Sequence, residues 1–311
     1  MIKTNWIIIY LTAVKRFPIF LGIILLWVSL IQANAQALDS ISKKNLTFKS
    51  EGVNLAGTFF QPKNPYAALV IVHGSDQVPR MTEFANLLAR KGIAVLTYDK
   101  RGVGESEGIY AGPEVGTNNI DSTNLNLLAK DASAAVSKLH ELNKNLPIGL
   151  IGFSQAGWII PMAANRNPLI EFMVLFSCPT ITTLEQLRFQ FYTDGNQDFW
   201  KNHTEEDARE HIKNDPDRYQ FIDTDPKTSL DLLSIPGLWI FGKNDIQIPV
   251  GLCMEQLNAF KARGKPFDYS LFSTLSHNTA FANTTEPVDI AIYWIKQKVS
   301  NNTKFKKWDK N

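Results

Sequence analysis

Short β-branched runs recur along this chain at intervals that a crossover helix fills, and that rhythm limits the fold more than any other feature. Two extended runs, LTFKS and VNLAGTFF, are joined by Glu51-Gly52 and predict an opening β-hairpin. Apolar strands are then expected over 69–73, 93–99 and 148–152, with an amphipathic stretch around MTEFANLLARKG between the first two and a long helix near 120–143 before the third. Runs over 172–177, 238–242 and 267–272 bring the series to eight strands. Runs this apolar, bounded by Gly or Pro and separated by helical segments, belong to an α/β protein: a mostly parallel sheet covered by helices on both faces. With 311 residues, 44% of them hydrophobic, the chain is long enough for one large domain with a sizeable core.

Between Cys178 and Pro236 the rhythm breaks. The segment over about 179–235 is polar, aromatic-rich and helical in pattern, far beyond the roughly 2 to 6 residues of an ordinary connection. Strands of the same sheet resume after it, so it is expected to be a helical cap inserted into the domain. Its aromatics, Phe189, Phe191, Tyr192, Phe199, Trp200, Tyr219 and Phe221, suit either the lining of an apolar acyl or aryl pocket or the covering of a core. The run Glu205-Glu206-Asp207 suits a solvated helix start, or alternatively a site for a free peptide N-terminus.

The first 35 residues differ from the rest. Lys3, Lys15 and Arg16 stand without an acidic residue, an apolar run from Phe17 to Ile31 follows, and small residues sit at Ala33 and Ala35. Basic, apolar and A-x-A in that order predict a secretory signal peptide over 1–35 and a hydrolysed boundary before Gln36, with the protein periplasmic or secreted. The run is shorter than the ~20 residues of a membrane span, so no stable span is expected once the signal is removed. Lys and Arg number 32 and Asp and Glu 30, so losing three basic residues leaves a net charge near −1 and no case for nucleic acid as a partner. Cys178 and Cys253 are free to pair in an exported protein, although their spacing does not require it.

The chemistry is concentrated at strand ends. IGLIG followed by Phe153-Ser154-Gln155 and then AGWIIPMAANR reads as a strand, a tight turn carrying Ser154, and a helix. A serine exposed on such a turn needs small neighbours, because a larger Cβ strikes the adjoining strand or helix. Here Ala156 stands where G-x-S-x-G has its second glycine, with Gly157 directly behind. Taken alone, the stretch fits a serine capping an ordinary crossover helix equally well.

A nucleophilic serine also needs a histidine base and a carboxylate that holds the base in its working tautomer. Downstream, Asp245 follows the strand LWIFG and His277 lies in the loop after the last strand. Both positions bring side chains to the carboxyl edge of the sheet, where Ser154 is expected. Asp245 also suits a turn-forming role after Asn244. His203 and His211 are competing bases within the polar cap, and His140 suits a helix surface. For an oxyanion, one backbone N–H is expected from Gln155 and a second from Ser75 in the loop HGSD, with Asp76 as the alternative. His73 suits a structural, hydrogen-bonding role.

HGSD, YDKRGVGESEG, GFSQAG, GKNDIQIPV and SHNTAF, in that order, resemble the α/β-hydrolase family, close to its bacterial esterase and dienelactone-hydrolase-like branch. The likeness covers roughly residues 50 to 297. It implies an α/β-hydrolase domain over 36–311, catalytic Ser154, Asp245 and His277, and no metal or organic cofactor; the turn at Asp99 to Ser106 is structural in that family. The expected activity is cleavage of carboxylic esters through an acyl-enzyme, on a small-molecule ester or short peptide. An aminopeptidase-like serine peptidase and a non-catalytic binding protein are the alternatives.

Overall fold

The computed structural model describes residues 41–110, 122–215 and 222–308, with side chains to residue 300. The expected leader and the cap aromatics Tyr219 and Phe221 lie outside the described residues.

The chain forms one eight-stranded sheet: β1 (Ser42–Ser50), β2 (Val53–Gln61), β3 (Ala67–Val72), β4 (Ile93–Tyr98), β5 (Ile148–Phe153), β6 (Ile170–Phe176), β7 (Gly237–Gly242) and β8 (Phe267–Phe272). Their spatial order is β1-β2-β4-β3-β5-β6-β7-β8. Only β2 runs against its neighbours, pairing antiparallel with both β1 and β4. β3 to β6 read as continuous apolar runs because both faces are covered, and every residue of β3, β4 and β5 is buried.

Period-two alternation divides those residues between two cores. Val70, Leu96, Leu150 and Met173 face α2 (Ser122–Leu142) and α3 (Ala156–Arg166), whereas Leu69, Ile71, Val95, Ile151 and Val174 face the other way. That second face is covered by α1 (Thr82–Arg90) and by the C-terminal helix Glu286–Trp308. The early part of the sheet grows from β3 to β4 on one side and then from β3 to β5 on the other. This reversal leaves a crevice at the carboxyl ends of β3 and β5, where ligands bind in open α/β sheets.

Between β6 and β7 the chain forms α4 (Thr183–Thr193), α5 (Phe199–Asn202), α6 (Glu205–Asn214) and α7 (Pro226–Leu232). Thr182 and Thr204 open α4 and α6 with reciprocal capping boxes, to Glu185 and Asp207 respectively. Phe189, Phe199, Ala208 and Ile212 form a small core of their own against Ile246. After β7 come α8 (Val250–Ala262), β8 and α9, the C-terminal helix.

The turn after β4 is held by charge. Asp99 accepts hydrogen bonds from the Arg80 backbone and guanidinium and from the Glu105 backbone, and a Cβ on Gly104 would sit 2.6 Å from its Oδ2. Arg101 pairs with buried Asp131 of α2. These contacts fix where both Lys100 and the loop after β3 lie. Among the described residues no helix is long and apolar enough to cross a membrane.

Candidate active site

Ser154 sits between the end of β5 and the start of α3 with φ +48, a left-handed conformation that costs a non-glycine residue on the order of 1 kcal/mol or more. The turn is secured from both sides: the Ser154 amide donates to the Phe176 carbonyl at 3.1 Å, and the Gly157 amide donates to the Ser154 carbonyl at 2.9 Å. The missing second glycine has a structural answer. Ala156 is fully buried, and its methyl occupies the space beside Gly152, where an added Cβ would lie 2.5 Å away. Gly157 passes under Pro179 so closely that a Cβ there would meet backbone at 2.5 Å. The glycines this turn requires are therefore 152 and 157, and position 156 tolerates a methyl.

Asp245 follows β7, is fully buried, and uses its two oxygens differently. Oδ1 accepts the Gln247 and Ile248 amides at 2.7 and 3.1 Å, while Oδ2 meets His277 Nδ1 at 2.8 Å. Its carbonyl accepts the indole N–H of Trp200 from the cap. The turn-forming role and the histidine-orienting geometry are thus both present in one side chain. The loop carrying His277 crosses the end of β7 at Gly242, where a side chain would strike the Leu275 carbonyl.

Ser154 and His277 line one cleft of about 410 Å³ together with Gly74, Ser75 and Asp76. The register Val72 to Gly152 between β3 and β5 sets Gly74 beside Ser154, with an added Gly74 Cβ only 3.7 Å from the serine Cβ. Among the described residues the imidazole's hydrogen bond is to Asp245, so Ser154 and His277 share the cleft without being bonded to each other. Such contacts are commonly loose in a free enzyme and tighten with substrate. Gln155 is buried at the first turn of α3, where the positive end of the helix meets the cleft.

The competing histidines are elsewhere. His203 Nδ1 bonds the Tyr192 hydroxyl at 3.1 Å, His211 stacks on the Tyr192 ring at 3.9 Å, and His140 lies at the end of α2; none lines the cleft. His73 is buried edge-on to Tyr98, and burial pushes its pKa down to about 3. The Pro79 backbone is the polar group that faces its ring, and its two ring nitrogens have no side-chain hydrogen-bond partner among the described residues. Cys178 and Cys253 are both free, buried thiols.

Of the two roles open to the cap aromatics, the described ones take the covering of a core. The cap's Phe189, Tyr192, Phe199 and Trp200 are spent on the cap's own core, and none of the described cap aromatics lines the cleft. The walls come instead from Phe153, whose ring centroid lies 5.8 Å from that of Phe176 and 5.1 Å from that of Phe281, plus Met81. Phe153 was visible as the variable residue before the serine, and Phe281 as the end of SHNTAF. A second cleft of about 420 Å³ adjoins the first at Gln247, His277, Asn278 and Phe281 and adds Gln197, Ser276 and Asn283, none of them charged.

Fold and site together define an α/β-hydrolase of the serine esterase and peptidase type. Within it the chain belongs to the family described as serine aminopeptidase, S33, whose model matches residues 63–245 and so includes Ser154 and Asp245. No curated protein matches the sequence. Among solved structures, an acylaminoacyl peptidase from Pyrococcus horikoshii is similar at 15% identity and TM-score 0.61, over 86% of this chain but 42% of that one. The chain thus spans less than half the length of that peptidase. The Pyrococcus furiosus esterase Pf2001 is similar at 17% identity and TM-score 0.60, over 84% of this chain and 92% of that one. The α/β hydrolase GrgF from Penicillium sp. sh18 has 17% identity and TM-score 0.57, over 83% and 99%. At these identities the likenesses establish the fold, and none confirms the narrower dienelactone-hydrolase-like branch.

Proposed function

We propose that the protein is an exported serine hydrolase that cleaves carboxylic esters through an acyl-enzyme on Ser154. The observation that carries this reading is the Asp245–His277 pair at 2.8 Å, opening onto the cleft that holds Ser154 on its strained turn. With Nδ1 committed to Asp245, Nε2 is the nitrogen that takes the Ser154 proton as Oγ attacks the acyl carbonyl. The oxyanion forms against the amides of Gln155 and of the loop at Ser75. His277 returns the proton to the departing alkoxide, and water then releases the acid by the same path. The aromatic cleft takes the acyl or aryl group. The neutral, polar second cleft shares His277, the proton donor, and so takes the leaving alcohol.

An ester is favoured over an amide for two reasons. An alkoxide departs with less help from the general acid than an amine does. In addition, the acidic run that suits a peptide N-terminus is engaged elsewhere: Asp207 closes the capping box, and Glu205 sets its carboxylate where a Cβ on Gly251 of α8 would fall. The amide reading retains the family description and one exposed carboxylate on the cleft, Asp76. Assaying short-chain aryl esters beside matched aminoacyl amides separates the two. At least a hundredfold higher kcat/KM on esters is expected, about 2.7 kcal/mol in transition-state stabilisation. Efficient amide cleavage that substitution of Asp76 or Glu205 selectively removes would establish the peptidase instead.

A further inference from the structure

Behind the cleft wall formed by Gly74, Ser75 and Asp76 lies a cation that the triad chemistry does not use. Lys100 is 4% exposed, and its Nζ donates to the Gly74 carbonyl and approaches Gln155 Oε1 at 3.5 Å. It also stands 5.7 Å from the centre of the Tyr110 ring, whose hydroxyl donates to the Ser75 carbonyl at 2.7 Å. Two consecutive carbonyls of the loop are therefore held by two side chains of the segment after β4. Neither Lys100 nor Tyr110 lines the cleft, whereas the three loop residues do.

In a trans peptide the C=O of one residue and the N–H of the next point in opposite directions. Holding the Gly74 carbonyl against Lys100 turns the Ser75 N–H away from the lysine, toward the cleft. Holding the Ser75 carbonyl against Tyr110 does the same for the Asp76 N–H. A cation on the Gly74 carbonyl also polarises that peptide and makes its N–H a stronger donor.

We propose that Lys100, assisted by Tyr110, is the positioning residue of the oxyanion site: it fixes the peptide planes of the loop after β3 so that their N–H groups meet the developing oxyanion. The inference rests on the hydrolase reading above but concerns residues that reading leaves idle. The same contact reaches the elbow through Gln155, so one cation ties together both sources of oxyanion donors.

The charge on Lys100 gives the arrangement a pH signature. Burial pushes its pKa down to about 8, against the opposing pull of the Asp76 carboxylate. The other groups around it are Tyr110 on its own segment, neutral His73 at the end of β3, and uncharged Gln155 on the elbow; its neighbours Asp99 and Arg101 are engaged with Arg80 and Asp131. As pH rises past about 8 the folded protein loses this proton while the unfolded chain, with an ordinary lysine, keeps it up to about 10.4. The unfolded state then binds more protons, so this group adds stability with rising pH in that window. Activity and stability should therefore move in opposite directions.

The test compares wild type, Lys100→Met, Lys100→Arg and Tyr110→Phe on an aryl ester, after wild-type Ser154 has been shown to react with a fluorophosphonate. Lys100→Met should lower kcat on the order of 10² with KM changed less than about threefold, as for loss of one oxyanion donor. Its affinity for a trifluoromethyl ketone, which forms a tetrahedral adduct, should fall by the same factor as kcat/KM. Lys100→Arg should recover part of the loss, and Tyr110→Phe should lower kcat on the order of tenfold. Wild-type kcat should fall above pH 8 while the melting temperature holds or rises, and Lys100→Met should lack that alkaline limb. Should Lys100→Met not fold, Tyr110→Phe and the wild-type pH profile decide the matter alone. A folded Lys100→Met with wild-type kcat, or wild-type activity flat through pH 9, would overturn the proposal. Failure of Ser154 to react at all would instead overturn the hydrolase reading on which it rests.

Discussion

The substitution Gly152→Ala tests the account of the elbow directly. An added Cβ would lie 2.5 Å from the Ala156 methyl, 2.8 Å from Ile160 Cδ1 and 2.9 Å from the Val72 carbonyl oxygen. Carbon atoms in contact settle at roughly 3.5 to 4.0 Å, so the first overlap alone is on the order of 1 Å. The Ile160 terminus can rotate, but the Val72 oxygen belongs to β3, and relieving that contact separates the two strands that carry Gly74 and Ser154. Overpacking of this kind costs about 1–3 kcal/mol, and an obstructing backbone places the site at the upper end, offset by about 0.5–1 kcal/mol from replacing glycine in a strand. A net loss of about 2 kcal/mol is expected. Ala156→Gly alone should cost about 1–2 kcal/mol through a lost buried methyl and lower helix propensity. In the double variant the Ala156 overlap is gone, so it should be no less stable than Gly152→Ala alone, a coupling of about 1–2 kcal/mol. Urea unfolding followed by circular dichroism and by tryptophan fluorescence measures all four proteins of the cycle. Additivity within about 0.5 kcal/mol, or a neutral Gly152→Ala, would refute the claim that Gly152 makes room for Ala156.

Ser154→Ala and His277→Ala should each lower kcat by a factor on the order of 10⁴ or more, with Asp245→Asn milder because the amide oxygen can still accept the Gln247 and Ile248 amides; steady-state kinetics alongside circular dichroism reads this out. Arg101→Met should destabilise by about 3–5 kcal/mol because it leaves Asp131 buried and unpaired, and Arg101→Met/Asp131→Leu should recover most of that loss in urea unfolding. N-terminal sequencing of exported protein should begin at or near Gln36; an intact N-terminus retained in a membrane would refute the expected cleavage after Ala35.

The strands were legible in the sequence because most are buried on both faces, which leaves continuous apolar runs that no helix pattern imitates. The placement of Ser154, Asp245 and His277 was legible for a related reason: each lies in the turn or loop that follows a strand, so topology carries all three to one edge of the sheet. What sequence did not show depends on contacts between distant segments. Nothing local marks Gly152 as the partner of Ala156, because the two are joined by the turn and not by a pattern. Lys100 lies within a turn whose spacing signals structure alone, and only the folded chain sets its ammonium behind Gly74. The cap aromatics left two roles open because aromatic enrichment reports burial without saying where. Phe189 and Phe199 needed partners, and they found them in Ala208, Ile212 and Ile246 rather than in a substrate.

The central claim, that Ser154 is an activated nucleophile, is tested most directly by reacting the purified protein with a fluorophosphonate and locating the adduct by peptide mass spectrometry. This requires no knowledge of the substrate. The account predicts a single adduct on the peptide containing Ser154, absent in Ser154→Ala and formed far more slowly in His277→Ala. An unreactive wild-type protein, or an adduct on any other residue, would contradict it.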